Sequence, residues 1–340
     1  VNGLALLPAD QVLFKCGDVW RADVLRITRS GSAASGIVYG SYPDRACPDK
    51  PVLAGTETIT GWAPWSGSIW VAALTAGANA GRFPNGINQL FRNGSRLRLG
   101  RWPNLDVGDG YSTIDAQPAA TQITDNELPA VAWTGATVNI RGMRWYILNR
   151  DVTADSGNTL TLNSAAGCWG GSCVGWGFFL NNHLSTLDQE GEWYYDAVGR
   201  RVYLFAAADP SPASLEGSVV IAGESASMGG VILGRHLQEH IHHVTLDNFE
   251  IRGWFDNGIT TPINLATDEN YNLVISNNLI KDLDGTGINL ATWVWNAAAS
   301  GNGYNGWRGG DDLQVTGNTI DGANEYGINS YARSSIIGSN

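Results

Sequence analysis

The chain has 340 residues, a formal net charge of −11, 43% hydrophobic and 16% charged residues, and the unusual counts of 43 Gly and 14 Trp. Its acidic balance disfavours nucleic acid and anionic membranes as partners, and it weighs against a strongly polyanionic glycan unless a local basic cleft exists. No run approaches the roughly 18 apolar residues that a bilayer span needs, and the length allows one to three domains. Abundant Gly suits an all-β fold with many turns. Trp either packs cores or presents flat indoles to the apolar faces of sugars.

The chain begins Val1-Asn2-Gly3 with no secretory leader in view, as expected if one had been removed. In the first region, residues 1 to about 75, short strands are predicted at Val12–Lys15, Val24–Ile27, Gly36–Gly40 and Pro51–Gly55. Turn residues separate them at short, regular spacing, which fits stacked coils of a solenoid or a sandwich. The middle, 76–230, reads as an inserted antiparallel β subdomain with one short helix. Asn93-Gly94 marks a hairpin turn. Trp145–Leu148 and Thr159–Leu162 read as strands, Phe178–Leu187 as the helix, and Glu192–Asp196 with Arg201–Phe205 as a second hairpin.

The last region, 231–340, is repetitive. Val244–Ile251, Leu273–Ile280 and Leu313–Ile320 align without gaps, and each is followed eight residues after its final Ile by another Ile behind Gly: Gly258-Ile259, Gly287-Ile288 and Gly327-Ile328. One such unit cannot bury its apolar face, whereas stacked units bury all of them in one core. Asn277, Asn278 and Asn318 fall at the turns, where Asn tolerates the left-handed conformation and its amide reaches the next coil. The spacing predicts a right-handed parallel β-helix with a β-rich insertion. Its excess length sits in the loops 262–272 and 293–312.

The four cysteines suit two disulfides and an oxidising compartment. Cys168 and Cys173 flank a tight Trp-Gly-Gly-Ser loop, which pairs Cys16 with Cys47 by elimination. Zinc is the rival, but no CxxC occurs and no His lies near these cysteines in sequence.

On these residues the chain resembles right-handed β-helix proteins of the carbohydrate-binding and sugar-hydrolase repeat group. The resemblance spans most of residues 10–335. In the middle region it rests on Asn88–Gly94 with Arg101-Trp102-Pro103-Asn104, and on Phe178–Leu184 with Leu187–Asp196. Bacterial glycoside hydrolases acting on plant cell-wall glycans, and some polysaccharide lyases, carry similar blocks. The resemblance implies a secreted or cell-surface, glycan-active enzyme. The lyases' Lys and Arg pair has no clear counterpart, since the basic residues from 244 onward are Arg252, Lys281, Arg308 and Arg333.

Glycoside hydrolysis needs two carboxyl groups flanking the scissile bond. Counted from the aligned isoleucines, Asp256 and Glu325 share one offset, and Asp284 stands one residue earlier in the middle unit. Adjacent coils would hold carboxyls about 5 Å apart, suiting a retaining pair, and a gap of two coils about 9.5 Å apart, suiting an inverting pair. The competing reading is turn chemistry, Asp beside Gly or Asn. Trp293, Trp295, Tyr304 and Trp307 lie in a polar loop and are candidates to stack on sugars. Asp311-Asp312 either starts a strand or binds calcium, the one ion left open; no other cofactor is expected. The histidines at 236, 240, 242 and 243 read as structural, with His240 and His242 on one face.

The expected function is thus an extracellular glycan-active enzyme, a glycoside hydrolase ahead of a lyase, with polysaccharide as partner. The rival is a non-catalytic surface or filament-forming protein. The end at Ser335–Asn340 shows no capping helix pattern. Solenoid ends are normally capped, so further coils beyond residue 340 or end-to-end self-association are expected.

Overall fold

The computed structural model describes residues 1–221, 228–235, 240–262, 270–294, 306–308, 310–332 and 334–340. The chain forms two compact units. Unit 1 comprises Val1–Thr58, Gly81–Gln89 and Glu216–Asn340, and unit 2 comprises Ile59–Ala80 and Leu90–Leu215. Among the described residues it is nearly all β, the only helical turns being two three-residue 3-10 segments.

Unit 1 carries three parallel sheets. The first orders its strands Gln11–Lys15, Ile37–Tyr42, His242–Asp247, Tyr271–Ser276, Gln314–Thr316 and Ile336–Gly338. The second orders Val19–Arg21, Val52–Ala54, Glu250–Arg252, Leu279–Leu283 and Thr319–Ala323. The third orders Leu25–Ile27, Gly229–Leu233, Asn257–Thr260, Ile288–Asn289 and Ile328–Asn329. Parallel pairing without register shift puts equivalent residues in columns. Leu53, Ile251, Ile280 and Ile320 are in register in the second sheet. Leu25, Val231, Ile259, Ile288 and Ile328 are in register in the third. Alternate residues point to opposite faces of a strand, so His242–Asp247 and Tyr271–Ser276 bury every second side chain along most of their length. Ile251, Ile259, Ile280 and Ile288 are fully buried in one cluster with Trp254 and Phe249, each worth about 1.5–3 kcal/mol in removal from water.

The turns between the first and second sheets repeat as well. Asn248, Asn277, Gly317 and Ser339 occupy the left-handed region one after another. Beside them runs a buried amide ladder, in which the backbone N–H groups of Phe249, Asn278 and Asn318 donate to the side-chain oxygens of Asn278, Asn318 and Asn340 at 2.9, 3.1 and 3.0 Å. The amide nitrogens of Asn278, Asn318 and Asn340 donate in turn to the carbonyls of Leu246, Ile275 and Val315. Outside the second sheet, the buried carboxylate of Glu216 pairs with Arg21 at 2.9 Å and accepts from the Thr56 hydroxyl at 2.7 Å. Burial pushes the Glu216 carboxyl up, but the hydrogen bonds from Arg21 and Thr56 and the charges of Arg21 and Arg252 bring it below the ordinary value.

Unit 2 is antiparallel. One sheet runs Arg101–Trp102, Gly177–Asn181, Thr137–Ile140, Leu148–Ser156, Thr159–Leu162 and Gln122–Thr124 over a core with Trp133, Val138, Ile140, Phe178 and Leu180. Another joins Trp193–Asp196, Arg201–Phe205, Ile69–Ala73 and Ala63–Ser66. Asn93-Gly94 turns the hairpin between Leu90–Arg92 and Ser95–Arg96 with both residues at positive φ.

Two sequence expectations fail here. Phe178–Leu187 is not a helix. Its first residues lie in a strand between Thr137–Ile140 and Arg101–Trp102, Asn182 turns the chain at positive φ, and one 3-10 turn follows at Leu184–Thr186. Its apolar run belongs to a strand with neighbours on both sides, whose pattern over a short stretch matches that of a buried helix. Trp145–Ile147 precede their strand, which starts at Leu148. Cys16–Cys47 and Cys168–Cys173 are both bonded, with no free cysteine.

Candidate active site

The turn from the second to the third sheet in unit 1 holds the three candidate carboxylates. Asp256 directly precedes Asn257–Thr260. The backbone N–H of Gly285 donates to the Asp256 carbonyl at 3.1 Å, and the N–H of Glu325 donates to the Gly285 carbonyl at 3.3 Å. Asp256, Gly285 and Glu325 therefore form one column, with Gly between two acids. The outer members are two strand spacings apart, about 9.5 Å. A Cβ on Gly285 would stand 2.7 Å from Asp256 Oδ1, so only glycine leaves this gap open.

The environments of the three differ. Asp256 is half-buried; the Met228 N–H donates to its Oδ2 at 3.2 Å and the Asn257 amide to its Oδ1 at 3.0 Å. Burial pushes its pKa up to about 6 from the ordinary 3.8, the Met228 N–H opposes this, and the negative charges of Glu325 and Asp284 add to it. Glu325 is exposed and accepts from the Thr286 hydroxyl at 3.2 Å. Asp284 is pinned by two amides, Asn88 donating to Oδ2 at 2.6 Å and Asn324 to Oδ1 at 2.7 Å.

The segment Asn88-Gln89 anchors the turn that carries Asp256. The Asn88 amide also donates to the Phe255 carbonyl at 2.9 Å, and Gln89 Nε2 donates to the Trp254 carbonyl at 2.8 Å. Ser218 fixes Asn88 by donating to its Oδ1 at 2.6 Å. Below the turn, the buried Trp254 indole donates to the Leu53 carbonyl at 3.0 Å. Sequence reasoning placed Asn88 in a family-like block without a role; its signal lay in the fold, which brings it back to unit 1. Asn324 and Thr286 were legible in principle as neighbours in the columns that hold Asp284 and Glu325.

The other candidates divide. Thr292–Val294 pairs antiparallel with Gly306–Arg308, setting Trp293 opposite Trp307 in register; Trp295 and Tyr304 lie outside the described residues, as does His236. Asp311 bridges Tyr271 just ahead of the strand Gln314–Thr316, the strand-start arrangement. His240 and His242 do share a face, with ring centroids 5.5 Å apart, and His242 stacks on Tyr271 at 4.6 Å. Among the described residues no three His, Cys, Asp or Glu side chains gather at metal-binding distance. A cleft in unit 1 lined by Phe14, Trp20, Leu25 and Leu53 beside Val1–Gly3 is lined by none of the three carboxylates.

No protein-family model matches the sequence, and no curated protein matches it. Among solved structures, one titled a glycoside hydrolase superposes with a TM-score of 0.60 at 13% identity, covering 92% of this chain and 66% of that one. A second, a complex of XylC with xylose, superposes with a TM-score of 0.38 at 11% identity, covering 93% and 49%. The first likeness is one of fold, and this chain spans under two thirds of that protein's length.

Proposed function

We infer that unit 1 is a right-handed parallel β-helix and that the chain is an extracellular glycoside hydrolase working by inversion on a polysaccharide. The observation that carries the reading is the column Asp256–Gly285–Glu325. It holds one carboxyl that keeps its proton to about pH 6 and a second carboxylate across a gap without a side chain. The fold likeness to a glycoside hydrolase supports it. The two disulfides suit an oxidising compartment, in line with a secreted or cell-surface protein.

In this reading Asp256 is the general acid and gives its proton to the glycosidic oxygen as the bond to the anomeric carbon breaks. Glu325 takes a proton from a water that attacks the same carbon from the opposite face. One water is consumed, Asp256 ends ionised and Glu325 protonated, and exchange with solvent resets both. A separation near the upper end of about 6.5–9.5 Å leaves room for that water. Asp284, held by Asn88 and Asn324, is assigned to orient the sugar and to keep the Asp256 proton in place by its negative charge. Trp293 and Trp307 are proposed to stack on flanking sugars, together with Trp295 and Tyr304.

A screen of neutral and acidic plant polysaccharides, read both by new reducing ends and by ultraviolet absorbance of unsaturated products, tests the proposal. Reducing ends without that absorbance are expected. Absorbance would make the protein a lyase, and silence on every glycan would leave it a non-catalytic surface protein.

A further inference from the structure

Unit 2 carries two tryptophans that no part of the carboxylate site uses. Trp145 is 66% exposed and Trp169 64% exposed, with ring centroids 5.5 Å apart and planes at 72°. Leaving two adjacent indoles in water is unfavourable, and contiguous apolar patches on a soluble surface mark binding sites. The loop that bears Trp169 is tied down. Trp169 sits in the six-residue loop closed by Cys168–Cys173, followed by Gly170 and Gly171 at φ 86° and 87°. Its backbone N–H donates to the Gly142 carbonyl at 2.9 Å. A Cβ on Gly142 would meet Cys168 Sγ at 2.8 Å, so the loops bearing the two indoles are packed backbone to disulfide. The far end of the closed loop is tied down by the Cys173 N–H donating to Gln117 Oε1 at 2.8 Å. A groove of about 450 Å³ borders this loop at Cys168 and Gly171, its floor made of small residues such as Ala119 and Ala120.

We propose that Trp145, Trp169 and the adjoining groove form a second, non-catalytic binding site for a neutral polysaccharide chain. The geometry chooses the ligand. Planes at 72° cannot both be covered by one flat partner, but successive sugar rings, turned relative to one another, present an apolar C–H face to each indole. Their hydroxyls stay in water or face the polar rim. A rigid platform loses little conformational entropy on binding. The net charge of −11 disfavours an anionic membrane as occupant. This site does not rest on the hydrolase reading.

Affinity electrophoresis of the full chain in gels containing arabinoxylan, mixed-linkage β-glucan or galactomannan tests it. At least one of these is expected to retard the wild type. Trp169→Ala and Trp145→Ala are each expected to weaken that retardation at least tenfold with unchanged thermal melting. Asp256→Asn should be retarded like the wild type, which separates this site from the catalytic one. Co-sedimentation with zwitterionic lipid vesicles is a further arm, and no binding is expected. The proposal is overturned if no polysaccharide retards the wild type, if the tryptophan variants migrate as it does, or if vesicle binding is lost on Trp169→Ala.

Discussion

The two units are both built from short strands, but they store their instructions differently. In the three parallel sheets of unit 1 each strand pairs with its equivalent from the neighbouring repeat, so Ile251 meets Ile280 and Ile280 meets Ile320. A residue's neighbours are its counterparts at a fixed offset. In unit 2 the strands pair antiparallel, as Asn139 does with Phe179 on one side and Asn149 on the other, and no offset recurs. Repetition therefore turns a column of carboxylates into a pattern visible in the chain, and it gives Asp256 and Glu325 a separation that strand spacing alone sets. The antiparallel unit has no such rule, and its surface features emerge only from folding.

The largest effect is expected from Asp256→Asn, which removes the proposed acid. Activity on the identified glycan should fall at least about 100-fold with the fold retained, and retention of activity would remove Asp256 from the mechanism. Next, Ile280→Ala in the middle of a column should cost about 2–5 kcal/mol of unfolding free energy in urea melts. A loss well below 1 kcal/mol would mean that the parallel sheets do not share one core. Gly285→Ala should cost about 1–3 kcal/mol through the close approach to Asp256, and it should also depress activity because the gap between the acids is narrowed. Wild-type activity in that variant would contradict the column as a site.

The smallest effect is the dependence of stability on pH. The Asp256 pKa is raised to about 6 from an ordinary 3.8. The folded state thus binds its proton more tightly than the unfolded state does. This contribution to stability is complete below about pH 4, is lost as the pH rises through about 6, and leaves a constant penalty above that. Asp256→Asn should therefore raise the melting temperature at pH 8 and leave it unchanged near pH 4. Glu216 runs the other way. Its pKa is lowered on balance by Arg21, Thr56 and Arg252, so its contribution is present above its ordinary range and is lost as the pH falls through the depressed value. A Glu216→Gln variant should thus lose stability at neutral pH, and an equal change at pH 8 and pH 4 for either variant would contradict these environments.

Much of unit 1 was readable before folding. Ile251, Ile280, Ile259 and Ile288 became buried columns with Ile320 and Ile328 half-buried at their ends, Asn278 and Asn318 became part of the amide ladder, and the offset shared by Asp256 and Glu325 became spatial stacking. Each depends on period-2 alternation and a constant register, which a sequence displays directly. The hairpins at Asn93-Gly94 and at Val198–Arg200 were readable because a tight turn is a local matter. Phe178–Leu187 was misread because three consecutive apolar residues fit a buried strand as well as a helix. Asn88 gave no sign of its contact with Asp284, since 196 residues separate them and nothing local records a side chain's distant partner. The exposure of Trp145 and Trp169 was hidden for a related reason: an indole's burial is set by strands paired elsewhere in the chain.

The proposed pair Asp256 and Glu325, in one column on either side of Gly285, would cut a glycosidic bond by direct displacement with water. Proton nuclear magnetic resonance of the anomeric region, followed from the first minutes of the reaction on the glycan found in the screen, addresses it directly. The newly formed end is expected to appear first with the anomeric configuration opposite to that of the bond cleaved, then to mutarotate. First appearance of the retained anomer would point instead to the adjacent carboxylates Asp256 and Asp284, and vinyl signals of an unsaturated sugar would contradict hydrolysis altogether.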